Sequence, residues 1–264
     1  MDFGISGKTA LFTGGSKGMG REAATMLAAE GCNVAIVARS KPDIDEAVAA
    51  IVSSGGSAVG ICADMSKRGD VDRAVAETRD AFGAPLIVVG QTKFNVPGNF
   101  EDIDPETYVE SFRRYTVSQV YLLQAVLPAM KAAGWGRYVH IGSGTAKQPE
   151  GAIRHIVANA TRPSTPGLLK TVSDEYAQYG ITVNTVAPGW IGTDNTADYL
   201  ERTLGLHDEA ERREWLLRNG GVPAGRMGDP REIASLIAYL CSDLAGYING
   251  AWISVDGGKM RVAV

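Results

Sequence analysis

Cysteine is scarce in this chain: Cys32, Cys62 and Cys241 are all that 264 residues contain. Their spacing matches no metal-ligand pattern, and two lie within strand-like apolar runs where cysteine behaves as a small hydrophobe, so all three read as structural. No block of like charge stands out. With 26 Lys+Arg against 30 Asp+Glu the formal net charge is −4, which argues against nucleic acid as a partner. No apolar run reaches the length needed to span a bilayer, and the opening residues Met-Asp-Phe-Gly-Ile-Ser-Gly-Lys hold no apolar signal core, so a soluble cytoplasmic protein without a membrane partner is expected. Repeats, low-complexity tracts and linkers are also missing, which favours one domain over residues 1–264. What remains is an ordinary globular composition, 45% hydrophobic and 21% charged.

Short apolar runs bounded by turn residues alternate with longer amphipathic segments. That alternation is the pattern of an α/β fold, a doubly wound parallel sheet with helices on both faces. Strands are expected at 8–13, 33–38, 57–62, 86–90, 137–142, 181–187 and 251–254, and helices at 18–30, 42–53, 67–82, 105–133, 164–179 and 229–243. Ser66 precedes the third helix, and Asp104-Pro105-Glu106 gives the fourth a cap with proline at its first position. Residues 194–224, with the charged run Asp208-Glu-Ala-Glu-Arg-Arg-Glu-Trp215, break the alternation after the sixth strand. In open parallel sheets ligands lie beyond the carboxyl ends of strands, so this excursion could cover a substrate site or form a solvated surface helix.

The chain is organised around Leu11-Phe-Thr-Gly-Gly-Ser-Lys-Gly-Met-Gly20, an apolar run that passes through a glycine turn into a helical pattern. Strand, glycine turn and helix in that order let the backbone approach a phosphate and aim a helix N-terminus at it. Gly14, Ser16, Lys17, Gly18, Met19 and Gly20 are the expected cradle. Arg39-Ser40 follow the second strand, where an acidic residue would accept hydrogen bonds from a free ribose and arginine suits a 2′-phosphate. With Lys17 adding a second positive charge, the residues favour NADP(H) as cofactor. Asp64-Met65, ending the third strand, are placed to contact adenine.

Thr13-Gly-x-x-x-Gly-x-Gly20, Asp64, Leu127-Pro128-x-Met130, Gly136-Arg137-Tyr-Val-His-Ile-Gly-Ser143, Gly180-Ile-Thr-Val-Asn184, Pro188-Gly189 with Thr193, and Val255-Asp256-Gly257-Gly258 stand in family order. Together they resemble the short-chain dehydrogenase/reductase family over essentially the whole chain. The resemblance implies a Rossmann-type domain of about seven parallel strands, a homotetramer paired through helices 105–133 and 164–179, and oxidoreductase activity on a small-molecule carbonyl, alcohol or imine-like substrate. It further implies that Pro188, Gly189, Ile191 and Thr193 hold the nicotinamide carboxamide and pyrophosphate, and that Ser143 holds the substrate oxygen.

The family's remaining catalytic residues do not carry over. Its Tyr-x-x-x-Lys motif, read back from Glu175, falls on Ala158 and Arg162, and no tyrosine stands between Tyr138 and Tyr176. The asparagine slot holds Tyr115, and Gly90-Gln91-Thr92-Lys93 replaces Asn-Asn-Ala-Gly. Arg162 keeps a cation near the nicotinamide ribose, but it stays protonated and can polarise without readily relaying a proton. Tyr115 could donate a proton or pack as a helix aromatic. His155 could do acid/base work or touch the substrate. Trp190, with Ile191, Tyr199 and Leu200, could wall the substrate pocket or pack the excursion against the body. Two functions remain open: an NADP(H)-dependent oxidoreductase with an atypical site, and an NADP(H)-binding protein, sensor or scaffold without redox turnover.

Overall fold

The computed structural model describes residues 2–92, 94, 96–150 and 154–262. Seven parallel strands form one sheet in the order β3-β2-β1-β4-β5-β6-β7. They are β1 (Thr9–Thr13), β2 (Asn33–Ala38), β3 (Ser57–Cys62), β4 (Pro85–Gly90), β5 (Gly136–Ile141), β6 (Ile181–Pro188) and β7 (Trp252–Val255). All seven expected strands are present. Because β2 lies on one side of β1 and β4 on the other, the winding direction reverses there, and such a switch leaves a crevice at the strands' carboxyl ends.

Helices cover both faces because the strands bury side chains on both. On β1, Ala10 and Phe12 join a core cluster with α1 (Gly18–Ala29), α2 (Lys41–Ser53) and α10 (Pro230–Leu240). Leu11, between them, points into a second cluster with α3 (Arg68–Phe82), α5 (Ser118–Ala133) and α7 (Ser164–Tyr176). Burying each such large side chain is worth ~1.5–3 kcal/mol.

Several local expectations are refined. The long helix at 105–133 is α4 (Pro105–Phe112), one π-helical turn (Arg113–Val117) and α5. Asp104 caps α4 as expected, its carboxylate accepting from Glu106 N at 2.8 Å. Ser66 does not cap α3: its N and Oγ both bond to the Asp64 carboxylate, and Lys67 stands at the cap. A short helix absent from the sequence reading, α6 (Ile156–Thr161), precedes α7. The excursion after β6 is two helices, α8 (Asp194–Leu204) and α9 (Glu209–Arg218). Cys32 and Cys241 are buried, but Cys62, at the end of β3, is exposed. No helix among the described residues is long and apolar enough to cross a membrane.

Candidate active site

A cavity of about 900 Å³ opens along the carboxyl edge of the sheet. It is lined at one end by Gly14, Ser16, Lys17, Gly18, Met19, Arg39, Ser40, Asp64 and Met65. At the other it is lined by Tyr115, Ser143, His155, Arg162, Pro188, Gly189, Trp190 and Thr193. Two of the expected residues are not on its wall. Gly20 lies behind the cradle, where a Cβ would stand 2.4 Å from the Gly14 carbonyl oxygen, so its lack of a side chain lets α1 close on β1. Ile191 is 3% exposed and packs into the core against Gly228, anchoring the backbone that carries Thr193. Lys93, the last residue of the altered Gly90–Lys93 segment, lies outside the described residues.

The cradle end fits a dinucleotide phosphate. Gly14 and Gly18 have φ of 74° and 53°, a left-handed backbone that glycine adopts without steric cost. Gly18 lies so close to Thr193 that a Cβ would sit 3.2 Å from its methyl group, so the glycine turn and the segment after β6 face each other across a narrow gap. Thr193 is held by capping α8, its Oγ1 accepting from Thr196 N. Lys17 is only half-exposed to solvent and pairs with Asp43 at 3.0 Å. That bond, with another from Ser40, holds the Asp43 carboxyl below its usual range. Burial would raise the Asp64 carboxyl, yet the Ser66 hydrogen bonds and the nearby Arg114 and Arg39 charges leave it lowered.

The other end is knitted together by one guanidinium. α6 ends at Thr161 with Arg162 as its C-cap, because Pro163 has no N–H to continue the helical ladder, and the turn presents the Arg162 side chain to the cavity. Nη1 of Arg162 donates to Ser143 Oγ at 3.3 Å and to Thr145 Oγ1 at 3.0 Å, and Nη2 donates to the Tyr115 hydroxyl at 3.0 Å. The guanidinium also lies over the Tyr115 ring, 5.0 Å from its centroid. Tyr115 sits in the π-helical turn, which Thr165 pins to α7 by bonding to its carbonyl. Its own hydroxyl proton is donated to the Phe94 carbonyl. Ser143 Oγ and Thr145 Oγ1 are 3.1 Å apart at the end of β5.

Both histidines near this end are neutral at physiological pH. His140 Nδ1 lies 3.0 Å from the Gly90 carbonyl, which can only accept, so Nδ1 carries the proton. Burial, assisted by the Arg162 charge, pushes its pKa down to about 4. The same two causes take His155 to about 4. His155 lies tilted against the Tyr199 ring at 4.9 Å, and the Tyr199 phenol is pushed up to about 12, chiefly by burial and then by Glu150. Trp190 lies 6.2 Å from Tyr199 and meets Trp215 edge-on at 5.2 Å, so α8 and α9 are tied to the cavity wall through aromatic rings. Tyr199 and Leu200 part here: the first lines the cavity and the second is fully buried.

Sequence reasoning missed Asp43, His140, Thr145 and the partly buried ion pair of Glu150 with Lys259 at 2.7 Å, all on the cavity wall. Thr145, two residues past Ser143, and Lys259, next to Val255-Asp-Gly-Gly258, were readable as neighbours of matched motifs. The Glu150–Lys259 pairing spans 109 residues and has no local signal.

A family model described as enoyl-(acyl carrier protein) reductase matches residues 14–259. The 3-oxoacyl-[acyl-carrier-protein] reductase FabG of Pseudomonas aeruginosa is 32% identical over 262 residues, covering 96% of this chain and 98% of that protein. L-sorbose reductase from Gluconobacter frateurii, solved with NADPH and L-sorbose, superimposes with a TM-score of 0.92 at 28% identity, covering 99% of this chain and all of the other. A short-chain oxidoreductase from Pseudomonas aeruginosa PAO1, solved with NADPH and containing an atypical catalytic center, gives a TM-score of 0.90 at 26% identity over 99% of this chain and all of its own. With the seven-stranded parallel sheet and the glycine cradle at its switch point, these likenesses show that the chain belongs to the short-chain dehydrogenase/reductase family.

Proposed function

We propose that this protein is an NADP(H)-dependent oxidoreductase that acts on a small carbonyl or alcohol through an active site lacking the family's Tyr-x-x-x-Lys pair. The observation that carries this reading is the continuity of the cavity from the Lys17–Arg39 end to the Ser143–Thr145–Arg162 group. The backbone of Gly14 and Gly18 with Thr193 would hold the pyrophosphate, Lys17, Arg39 and Ser40 the 2′-phosphate, Asp64 and Met65 the adenine, and Pro188 and Gly189 the nicotinamide side. When bound, the cofactor supplies or accepts a hydride.

In this reading Ser143 and Thr145 orient the substrate oxygen, and Arg162 polarises it. Preorganised donors aimed at a developing negative charge typically contribute 10²–10³-fold to rate, of the same order as the roughly 10²–10⁴-fold of a positioned acid. Tyr115 acts as a positioning residue: its proton engages Phe94, and its oxygen holds Arg162. His155 and Trp190 wall the substrate space, and the 194–224 excursion covers it. Val109 and Phe112 on α4 are 51% and 44% exposed, which supports a homotetramer paired through the α4–α5 and α7 region. Light scattering is expected to give four chains, and a monomer would remove that element.

Substrate-linked loss of NADPH absorbance across a panel of ketones, aldehydes and imines tests the reading. Turnover that falls in Ser143→Ala supports it. NADPH binding with no turnover of any member favours the cofactor-binding alternative.

A further inference from the structure

We propose that the substrate is a 2-oxo or 2-hydroxy carboxylate, its carboxylate group received by Arg162 and the adjacent oxygen by Ser143 and Thr145. This rests on the oxidoreductase reading for the role of Ser143. Its own support is a charge imbalance. The other basic side chains on the cavity wall are mostly paired: Lys17 with Asp43, Arg114 with Glu110 at 2.6 Å and Lys259 with Glu150. Arg202 is exposed to solvent on α8, and Arg39 is exposed at the end assigned to the 2′-phosphate.

Arg162 is half-buried, and among the described residues it bonds only to the hydroxyls of Ser143, Thr145 and Tyr115, with no carboxylate partner. Its charge adds to burial in lowering His140 and His155. Nη1 serves two hydroxyls and Nη2 one. The Nε–H, on the edge that takes a carboxylate side-on, and one of the two Nη2–H groups make no bond among the described residues. Ribose hydroxyls are neutral and cannot balance this charge; a carboxylate can. Nη1 of the same guanidinium lies 3.3 Å from Ser143 Oγ, so a carboxylate on Arg162 and an oxygen on Ser143 fall within reach of one small molecule, and a carboxylate on the carbon next to the reacting one spans them with the fewest bonds. The rings of Trp190 and Tyr199 on the same wall leave an apolar flank for the rest of the molecule.

Calorimetry on protein saturated with NADP⁺, which leaves a keto acid unreacted, tests this by binding alone. 2-Oxohexanoate is expected to bind about 10- to 100-fold more tightly than 2-hexanone, which has methyl in place of the carboxylate. The gap should close in Arg162→Gln and persist in part in Arg162→Lys. Should Arg162→Gln not fold, 2-oxohexanamide replaces it as the uncharged control on wild-type protein and is expected to match 2-hexanone. Equal binding of the acid and the ketone, no binding of either, or a gap unchanged in Arg162→Gln overturns the proposal. Turnover of 2-hexanone without preference for the acid would leave the oxidoreductase reading standing while this one fails. Tight binding of the acid without turnover of any carbonyl would do the reverse.

Discussion

At the cradle end of the cavity the fit comes mostly from backbone: left-handed glycines, a helix N-terminus and a strand-end arginine, each fixed by residues nearby in sequence. At the reacting end it comes from side chains on three separate segments, the turn after β5, the π-helical turn and the α6–α7 turn, joined through Arg162. The first construction tolerates little substitution, because a Cβ has nowhere to go. The second can exchange residues as long as charge and hydroxyls stay in reach of one another. On the function proposed above, that difference is how one end of the cavity could keep the family's motifs while the other departs from them.

Four changes would break or sharpen the contrast. The largest effect is expected from Gly20→Val, whose side chain meets the Gly14 carbonyl: cofactor binding should be lost, and the free energy of unfolding, measured by chemical denaturation, should fall by an amount typical of overpacking, about 1–3 kcal/mol. Retained NADPH binding would show that the cradle is not as rigid as argued. Arg39→Asp should weaken NADPH by about 100-fold in a fluorescence titration and NADH far less, since it replaces a charge-assisted bond with repulsion.

The reacting end should respond to acid. Both His140 and His155 have folded pKa values of about 4, below the ordinary 6.5 of an unfolded histidine, so the unfolded chain binds more protons between those values. Their contribution to stability is therefore complete above about pH 6.5 and lost as pH falls toward 4, on the order of 3 kcal/mol for fully buried His140. Chemical denaturation at pH 7 and pH 5 checks this, and His140→Gln should flatten the difference. The smallest effect belongs to Asp43→Asn: freeing Lys17 from its partner should tighten NADPH about two- to fivefold, within the range of exposed ion pairs.

The two ends also differed in how far they could be read from sequence. The cradle was legible because its residues are local: Gly14 to Gly20 spell a strand-to-helix turn, and Arg39 ends the next strand. Ser143 was legible for the same reason. Arg162 could be placed only by counting back along α7, and its bonds to Tyr115 and Ser143 join residues 47 and 19 positions away. The π-helical turn that sets Tyr115 was hidden because an apolar period of 3.6 runs through both flanking helices, and one turn of wider winding barely disturbs it. Ile191 misled for another reason: its neighbours Trp190 and Thr193 line the cavity, while its own side chain turns inward to anchor them.

The separability of the two ends is tested most directly by Arg162→Gln, measured for both NADPH affinity and turnover with a carbonyl substrate. NADPH should bind within about threefold of wild type while turnover falls at least about 100-fold. Unchanged turnover, or a loss of NADPH binding as large as the loss of rate, would contradict the account.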